Sequence, residues 1–187
     1  MEDGERGLVE GRPRDEVGAE LRWANTDIGD EAGFASAILV EDQGLRQIVS
    51  LTSASLIGVE AATGKLLWRY PFTNKRQNNI PTPIYHQGQL FATTGYGGGS
   101  VLLKLAVAGG SVSVSKVWAT PELDNIHGGV VLVDGFLYGS SNEKSAWICL
   151  DLKTGQVRYR EKSAGMGAIT YADGRLYFPT CAIRESV

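Results

Sequence analysis

One short segment of the sequence combines residue types that could do chemistry. Asp124, Asn125 and His127 lie within four positions and are followed by two glycines. Histidine titrates near neutral pH, and a neighbouring carboxylate or amide can orient its ring, so such a segment could bind a ligand or carry a proton. A lone histidine in a loop nevertheless serves a structural hydrogen bond more often than it serves as a base. We predict these three residues as a ligand-binding candidate and assign no catalytic residue.

The other potential metal ligands and nucleophiles are spaced for neither a metal centre nor a reactive thiol. The two cysteines, Cys149 and Cys181, lie far apart and outside any Cys-x-x-Cys pattern. Cys149 belongs to an alternating apolar run, which predicts a small buried side chain. The oxygen-rich segment 25–31 lacks EF-hand spacing, and strands flank the glycine-rich segment 95–100, which favours a hairpin over a phosphate-binding loop. We predict no metal site.

Composition restricts the class of protein. The 187 residues are 43% hydrophobic and 21% charged, as in globular proteins, and the 24 glycines are typical of a fold with many tight turns. A net charge of -3 without a basic cluster argues against nucleic-acid binding. The sequence has no run of about 18 apolar residues to span a membrane, and its charged N-terminus does not resemble a signal peptide. Cellular location stays open.

Two kinds of sequence follow one another along the chain. Residues 1–18 are rich in Glu, Arg, Asp and Gly, and we predict a flexible leader there. From residue 19 onward, short apolar or alternating runs rich in Val, Ile, Leu, Tyr and Thr are separated by Gly, Asp or Asn, as expected for strands and turns. We predict that residues 19–187 form one all-β repeat domain.

An internal repeat organises these strands. The segment GVEAATGKLLW at 58–68 recurs as CLDLKTGQVRY at 149–159, with matching positions 91 residues apart, or two periods of about 45. The segment 102–118 is a degenerate middle copy that has a Gly-Gly turn in place of Thr-Gly and has gained a few residues. The aligned motif consists of Glu60, Thr63, Gly64 and Trp68 in the first copy, Trp118 in the middle copy, and Asp151, Thr154, Gly155 and Tyr159 in the last.

A second marker shows the same period. Gly88-Gln-Leu-Phe91, Gly135-Phe-Leu-Tyr138 and Gly174-Arg-Leu-Tyr177 each follow one apolar strand and open another. The best-preserved unit divides into four strands, at about 129–133, 136–141, 146–151 and 156–161. Four antiparallel strands per unit are typical of a β-propeller blade. We predict about three complete blades with partial blades at both ends, and we interpret Leu21-Arg22-Trp23 as the last strand of the first partial blade.

The aligned motif has a structural role in this interpretation. Its carboxylate and threonine hydroxyl can hydrogen-bond turn amides, and its glycine can take the left-handed conformation of a tight hairpin. Its aromatic residue lies on the outermost strand, where burial against the next blade contributes on the order of a few kcal/mol. Trp23, Trp68, Trp118 and Tyr159 are therefore predicted to dock one blade on the next.

At 58–68 and 149–159 the sequence resembles the pyrroloquinoline quinone (PQQ) repeat, the tryptophan-docking blade of quinoprotein dehydrogenases. The resemblance covers roughly residues 19 to 179 and extends to a bacterial group of PQQ-like β-propeller proteins. It implies a protein of a usually exported or periplasmic kind, and rings of seven or eight blades. With fewer blades than that, the chain resembles a fragment, and open blade edges favour self-association.

The resemblance leaves two functions open. Quinone-dependent members hold PQQ near Ca²⁺ with carboxylate and Asn ligands, and often under a disulfide between adjacent cysteines, which this sequence lacks. The same repeat in the propeller subunit of the outer-membrane β-barrel assembly machinery binds partners without a quinone. We expect a non-catalytic binding or scaffold module without a cofactor, holding a protein or small ligand on its loop face. The alternative is a fragment of a PQQ-dependent alcohol-type dehydrogenase whose catalytic residues lie in other blades.

Overall fold

The computed structural model of the protein describes residues 8–13, 19–162 and 165–178. The regular elements in these ranges are strands, which form three four-stranded sheets and two two-stranded sheets. Every pairing among them is antiparallel between strands that follow one another in the chain. The prediction of an all-β fold with three complete four-stranded blades and partial blades on either side is confirmed.

The strand bounds follow chain order. The first two-stranded sheet consists of β1 (Leu8–Pro13) and β2 (Ala19–Asn25). Blade 1 consists of β3 (Ile38–Asp42), β4 (Leu45–Leu51), β5 (Ser55–Glu60) and β6 (Leu66–Pro71). Blade 2 consists of β7 (Ile84–His86), β8 (Gln89–Thr94), β9 (Gly99–Ala108) and β10 (Ser111–Thr120). Blade 3 consists of β11 (Val130–Val133), β12 (Phe136–Ser141), β13 (Ala146–Asp151) and β14 (Val157–Glu161). The second two-stranded sheet consists of β15 (Thr170–Ala172) and β16 (Arg175–Tyr177).

One strand lies inside the segment for which the sequence predicts a flexible leader. β1 pairs with β2, and the register shifts between Val9 and Gly11. The segment LVEGRP has little apolar periodicity, so its pairing depends on the backbone groups that β2 offers rather than on its own strand propensity. For these six residues the structure differs from the expected leader. Residues 1–7 and 14–18 lie outside the described part, and a domain boundary at residue 18 stays a prediction.

The turn between the first and second strands of a blade recurs in one form. Two residues join the strands and both have positive φ, which makes a type I′ hairpin and favours glycine at the second position. The turns are Gln43-Gly44, Gln87-Gly88, Asp134-Gly135 and Asp173-Gly174. The last of these joins β15 to β16, so this pair has the turn of a first and second strand.

The hydrophobic core lies between neighbouring sheets. One buried cluster joins Leu56 of blade 1 to Leu90 and Leu103 of blade 2, and another joins Phe91 of blade 2 to Leu137 of blade 3. Each of these side chains is almost completely buried, and each such burial contributes about 1.5–3 kcal/mol. The blades therefore stack face to face, and each one completes the core of the next.

The degenerate middle copy forms a longer hairpin. β9 and β10 each have ten residues, against six for β5 and β6, and Gly109 and Gly110 form the turn with positive φ. The extension is not solvent-exposed on both faces, because Val112 and Val114 pack against the cluster that joins blades 1 and 2. The residues gained in this copy thus lie over blade 1.

Candidate functional site

The loop face is the edge of the blades that carries the blade-to-blade loops 26–37, 72–83 and 121–129 together with the turns between second and third strands. Strands alternate in direction along each blade, so these segments meet at one edge. A hydrogen bond from the backbone N–H of Gly97 to Asp124 Oδ2, 3.3 Å long, joins the turn of blade 2 to the loop that enters blade 3. The predicted ligand-binding residues all lie in this last loop.

Asp124 is completely buried, and its carboxylate holds the loop face together. Its Oδ1 accepts hydrogen bonds from Ser141 Oγ at 2.6 Å and from the backbone N–H of Glu143 at 3.0 Å. Its carbonyl oxygen accepts the N–H of Asn142 at 3.1 Å. These donors, with Gly97, surround the carboxylate, so Asp124 fixes the turn of blade 3 and offers little to a ligand.

Asn125 is also completely buried and points into the fold. Its Nδ2 donates to the carbonyl oxygen of Ser140 at 2.9 Å and to Ser140 Oγ at 3.2 Å, and its backbone N–H donates to Thr93 Oγ1 at 3.1 Å. Within the described residues its Oδ1 has no hydrogen-bond partner. Asn125 therefore ties the loop to blades 2 and 3.

His127 differs from its two neighbours because it is exposed. The structure thus divides the predicted trio: two members are inward hydrogen-bonding residues of the fold, and the imidazole faces solvent on the loop face. The arrangement does not bring the three groups together around one ligand. Binding by His127 stays a prediction.

The contact of Asp124 with Ser141 belongs to a repeated arrangement. In each complete blade, a polar residue of the entering loop accepts a hydrogen bond of 2.6 Å from a Ser or Thr hydroxyl at the end of the second strand. The pairs are Thr52 with Asp30, Thr94 with Asn79, and Ser141 with Asp124. This arrangement anchors every blade-to-blade loop to the blade it enters.

Sequence reasoning missed these anchors because their spacing varies. The acceptors lie 22, 15 and 17 residues before their donors, and they change between Asp and Asn. The one signal in the sequence was the Ser or Thr that ends each second strand. Asp30 also pairs with Arg69 of β6, which adds a charged contact in blade 1 alone.

The Thr-Gly turns on the opposite edge have the hydrogen bonds that the motif predicts. In the last copy, Asp151 Oδ1 accepts the backbone N–H of Thr154 at 3.0 Å and its hydroxyl at 3.1 Å. In the first copy, the Thr63 hydroxyl donates to Glu60 Oε2. Arg158 Nη2 lies 2.9 Å from Asp151 Oδ2, and this contact, the largest cause, lowers the pKa of the Asp151 carboxyl from its ordinary value.

Two of the motif's aromatic residues lie against the turn of the following sheet. The Trp23 indole N–H donates to the carbonyl oxygen of Ala61 at 3.1 Å, and a Cβ on Gly64 would overlap its ring. The Trp118 indole N–H donates to the carbonyl oxygen of Leu152 at 2.9 Å, and a Cβ on Gly155 would lie 2.7 Å from its Cδ2. In both places the glycine leaves room for the indole of the preceding sheet.

The other two aromatic residues have different surroundings. Trp68 is buried and its indole N–H donates to Gln47 Oε1 at 2.6 Å, while its ring covers Gly58 of its own blade. Tyr159 is 57% exposed, and its hydroxyl donates to Glu161 Oε2 at 3.1 Å. Neither side chain reaches a Thr-Gly turn, so the four aromatic positions do not share one environment.

Cys149 lies in the third strand of blade 3 and is buried, as the alternation predicted. Burial, the largest cause, raises the pKa of its thiol, although a hydrogen bond with Tyr138 opposes this. Burial also raises the pKa of the Tyr138 hydroxyl. The thiol therefore stays protonated at neutral pH and is a poor nucleophile. Cys181 lies outside the described residues.

Outward side chains of the loop face include an aromatic residue, a stacked cation and the imidazole. Phe34 is 72% exposed, and the Arg76 guanidinium lies 4.5 Å from the centroid of the Tyr96 ring. A hollow of about 430 Å³ opens beside them between 80–84 and 128–130, lined by apolar or uncharged residues. These groups suit contact with an amphipathic surface rather than acid–base chemistry.

Over the described ranges, no group of three His, Cys, Asp or Glu side chains is placed to hold a metal ion. The Asp124 carboxylate, which a Ca²⁺ ion could use, is already surrounded by its donors. The residues present therefore do not fit the Ca²⁺ of a quinone site. No helix in the described part is long and apolar enough to cross a membrane.

Comparisons with known proteins agree with this architecture. A solved structure of BamB from Moraxella catarrhalis superposes with a TM-score of 0.54 at 18% sequence identity, over 84% of this chain and 46% of that one. The chain thus spans about half the length of that protein. Among curated proteins no sequence matches. A family model described as outer membrane protein assembly factor BamB matches residues 5–161. The chain therefore belongs to this family of PQQ-repeat β-propellers.

Proposed function

We propose that this propeller module is a non-catalytic scaffold that holds a protein partner against its loop face. One observation carries the proposal: the loop face turns Asp124 and Asn125 inward to hold the fold and turns Phe34, Arg76 and His127 outward. Aromatic residues and arginine are the types that contribute most to protein interfaces. The side chains that could do chemistry are used structurally, whereas those that could dock a partner are free to do so.

The family description supports a role exerted on other proteins. An assembly factor acts by bringing proteins together, and the name of the matching family carries that meaning. The stacking of Arg76 on Tyr96 holds a cation in place on this face, which reduces the side-chain entropy lost on binding. The partner we expect therefore has an apolar contact for Phe34 and an acidic group near Arg76.

The test is site-specific photo-crosslinking in cells that make the protein. A photoreactive residue would replace Phe34 or His127 on the loop face, with Lys65 on the opposite edge as the matched exposed control. We expect a discrete crosslinked protein from the loop-face positions, lost when Arg76→Glu is added, and none from position 65. Equal crosslinking from both edges, or none from the loop face, would contradict the proposal.

A second arm addresses the dehydrogenase alternative. The purified chain, supplied with PQQ and Ca²⁺, would be assayed for oxidation of a series of primary alcohols with an artificial electron acceptor. We expect no turnover above that of PQQ and Ca²⁺ alone, because the carboxylates of the described loop face do not assemble a Ca²⁺ site. Saturable turnover that requires the folded chain would replace the scaffold proposal with an enzyme.

A further inference from the structure

The two two-stranded sheets are complementary halves of one blade. β15 and β16 are joined by the type I′ turn that joins the first and second strands of each complete blade. β2 carries Trp23, which contacts the turn of blade 1 as Trp118 of the fourth strand β10 contacts the turn of blade 3. β2 is thus a fourth strand and β1 a third. One sheet supplies the inner half of a blade, and the other supplies the outer half.

Both halves already occupy blade positions. On one side of the arc, the rings of Trp147 and Phe178 lie 4.6 Å apart, and Ser140 Oγ donates to the carbonyl oxygen of Gly167 at 3.1 Å. These contacts place β15–β16 beside blade 3 as the start of the next blade. On the other side, Trp23 and its hydrogen bond to Ala61 fix β2 beside blade 1.

The missing contact is a ladder between β16 and β1. In the described residues, β16 pairs only with β15, and β1 pairs only with β2. A two-residue type I′ turn makes Ala172 and Arg175 the hydrogen-bonded pair, so Tyr171 and Leu176 are the next, non-hydrogen-bonded pair. The backbone N–H of Leu176 therefore points away from β15, towards the position of a third strand.

One copy cannot supply both halves of the same blade. Three complete blades and two halves amount to four blades, and they match 46% of the BamB chain, so the two open edges lie about half a ring apart. Two copies amount to eight blades, which is within the range of four to eight that propellers use. The curvature of the arc thus favours a second copy over closure of one chain on itself.

We propose that two copies of this 187-residue chain close one eight-bladed ring, in which β16 of each copy pairs antiparallel with β1 of the other. Both junctions use the same pair of surfaces, so the twofold arrangement closes and leaves no free edge for fibre growth. This inference rests on the fold and is independent of the scaffold role. It gives each open edge a specific occupant.

Size-exclusion chromatography with light scattering tests the assembly. We expect a single species at twice the chain mass of 20.1 kDa, unchanged on tenfold dilution. A monomer, or a series of species larger than a dimer, would overturn the proposal, because neither corresponds to a ring of two copies.

A pair of proline variants tests the strand edge. Leu176→Pro removes the N–H that faces β1 of the other copy, whereas Tyr171→Pro removes an N–H on the opposite edge of the same hairpin. We expect Leu176→Pro to give monomers and Tyr171→Pro to remain dimeric, with unchanged far-UV circular dichroism for both. A dimeric Leu176→Pro variant, or monomers from both variants, would contradict pairing through β16.

Crosslinking between differently tagged chains gives a readout that does not depend on variant folding. In a Cys181→Ser background, one chain carries Glu10→Cys in β1 and the other carries Arg175→Cys in β16. After the mixture is unfolded and refolded together, a short bismaleimide should join the two tags, and each chain alone should give much less product. Equal product from either chain alone would contradict the head-to-tail junction.

Discussion

Two kinds of aromatic position in this propeller look alike in sequence and differ in structure. Trp23 and Trp118 lie on the Thr-Gly turn of the sheet that follows them, each over a glycine and each with its indole N–H on a backbone carbonyl. Trp68 instead turns onto Gly58 and Gln47 of its own blade, and Tyr159 faces solvent. Four positions aligned by the repeat thus have three different environments.

The difference shows that docking depends on a pair of blades rather than on one repeat. The indole comes from one sheet and the glycine from the next, so Trp23 needs Gly64 and Trp118 needs Gly155. The sheet that follows Trp68 is the degenerate copy, where a Cβ on Gly109 or Gly110 would meet open space. With no turn to receive it, Trp68 packs inward and joins the cluster between blades 1 and 2.

The largest effect should come from the two positions without a turn. Trp68→Ala should lower the free energy of unfolding by about 3–5 kcal/mol, because it empties a buried site and leaves Gln47 without its donor. Tyr159→Ala, at the same repeat position, should change it by less than about 0.5 kcal/mol. Urea unfolding at one fixed protein concentration measures both. Similar losses would mean that Tyr159 docks on a blade after all.

The next effect tests the glycine half of the pair. Gly155→Ala places a Cβ 2.7 Å from the Trp118 ring, whereas Gly110→Ala meets nothing; both glycines have positive φ, 69° and 77°. The left-handed conformation costs both variants about 1–2 kcal/mol, and crowding should cost Gly155→Ala about 1–3 kcal/mol more. Thermal unfolding gives the difference. If the two variants are equally stable, the indole is not held on the turn.

A smaller effect should come from the indole N–H alone. Trp118→Phe keeps the ring against Gly155 but leaves the carbonyl of Leu152 without its donor, so it should cost about 1 kcal/mol. Trp68→Phe should cost more, up to about 3 kcal/mol, because its partner Gln47 is completely buried. The two variants would be compared by urea unfolding, and the reverse order would show that Trp118 is the more deeply buried donor.

Local patterns predicted the strands and turns well. The second and third strands of blade 3 begin and end at the predicted residues, 136–141 and 146–151, because alternation and Asp-Gly turns are read within a few positions. The Gly-Gly turn of the middle copy was also predicted. These features depend on backbone conformation, which neighbouring residues determine.

Side-chain partners were predicted less well because they depend on which segments meet. Nothing near Asp124 indicates that Ser141 and Glu143 will surround its carboxylate, so a structural aspartate resembled part of a binding site. Likewise, the alignment gave Trp68 a docking role that requires a turn in the next copy, where the Thr-Gly pair is missing. The predicted motif was thus correct as a turn and incomplete as a contact between blades.

The smallest expected effect compares the two Thr-Gly turns themselves. Arg158 pairs with Asp151 in the last copy, and the aligned position in the first copy is Leu67, so Arg158→Leu gives the last turn the residue of the first. The pKa of Asp151 is lowered in the folded state, chiefly by Arg158, so the ion pair stabilises the fold above the unfolded-state pKa of about 3.9. This contribution is lost as pH falls through the lower folded-state pKa.

Thermal unfolding between pH 7 and pH 2.5 would measure this difference. Wild type should be slightly more stable than Arg158→Leu at neutral pH, with a constant difference down to about pH 5 that disappears near the acid limit. The difference should be small, because both side chains are partly exposed and salt screens such pairs. Added salt should therefore reduce it at neutral pH. A difference that grows as pH falls would show that Arg158 acts through packing and not through the charge of Asp151.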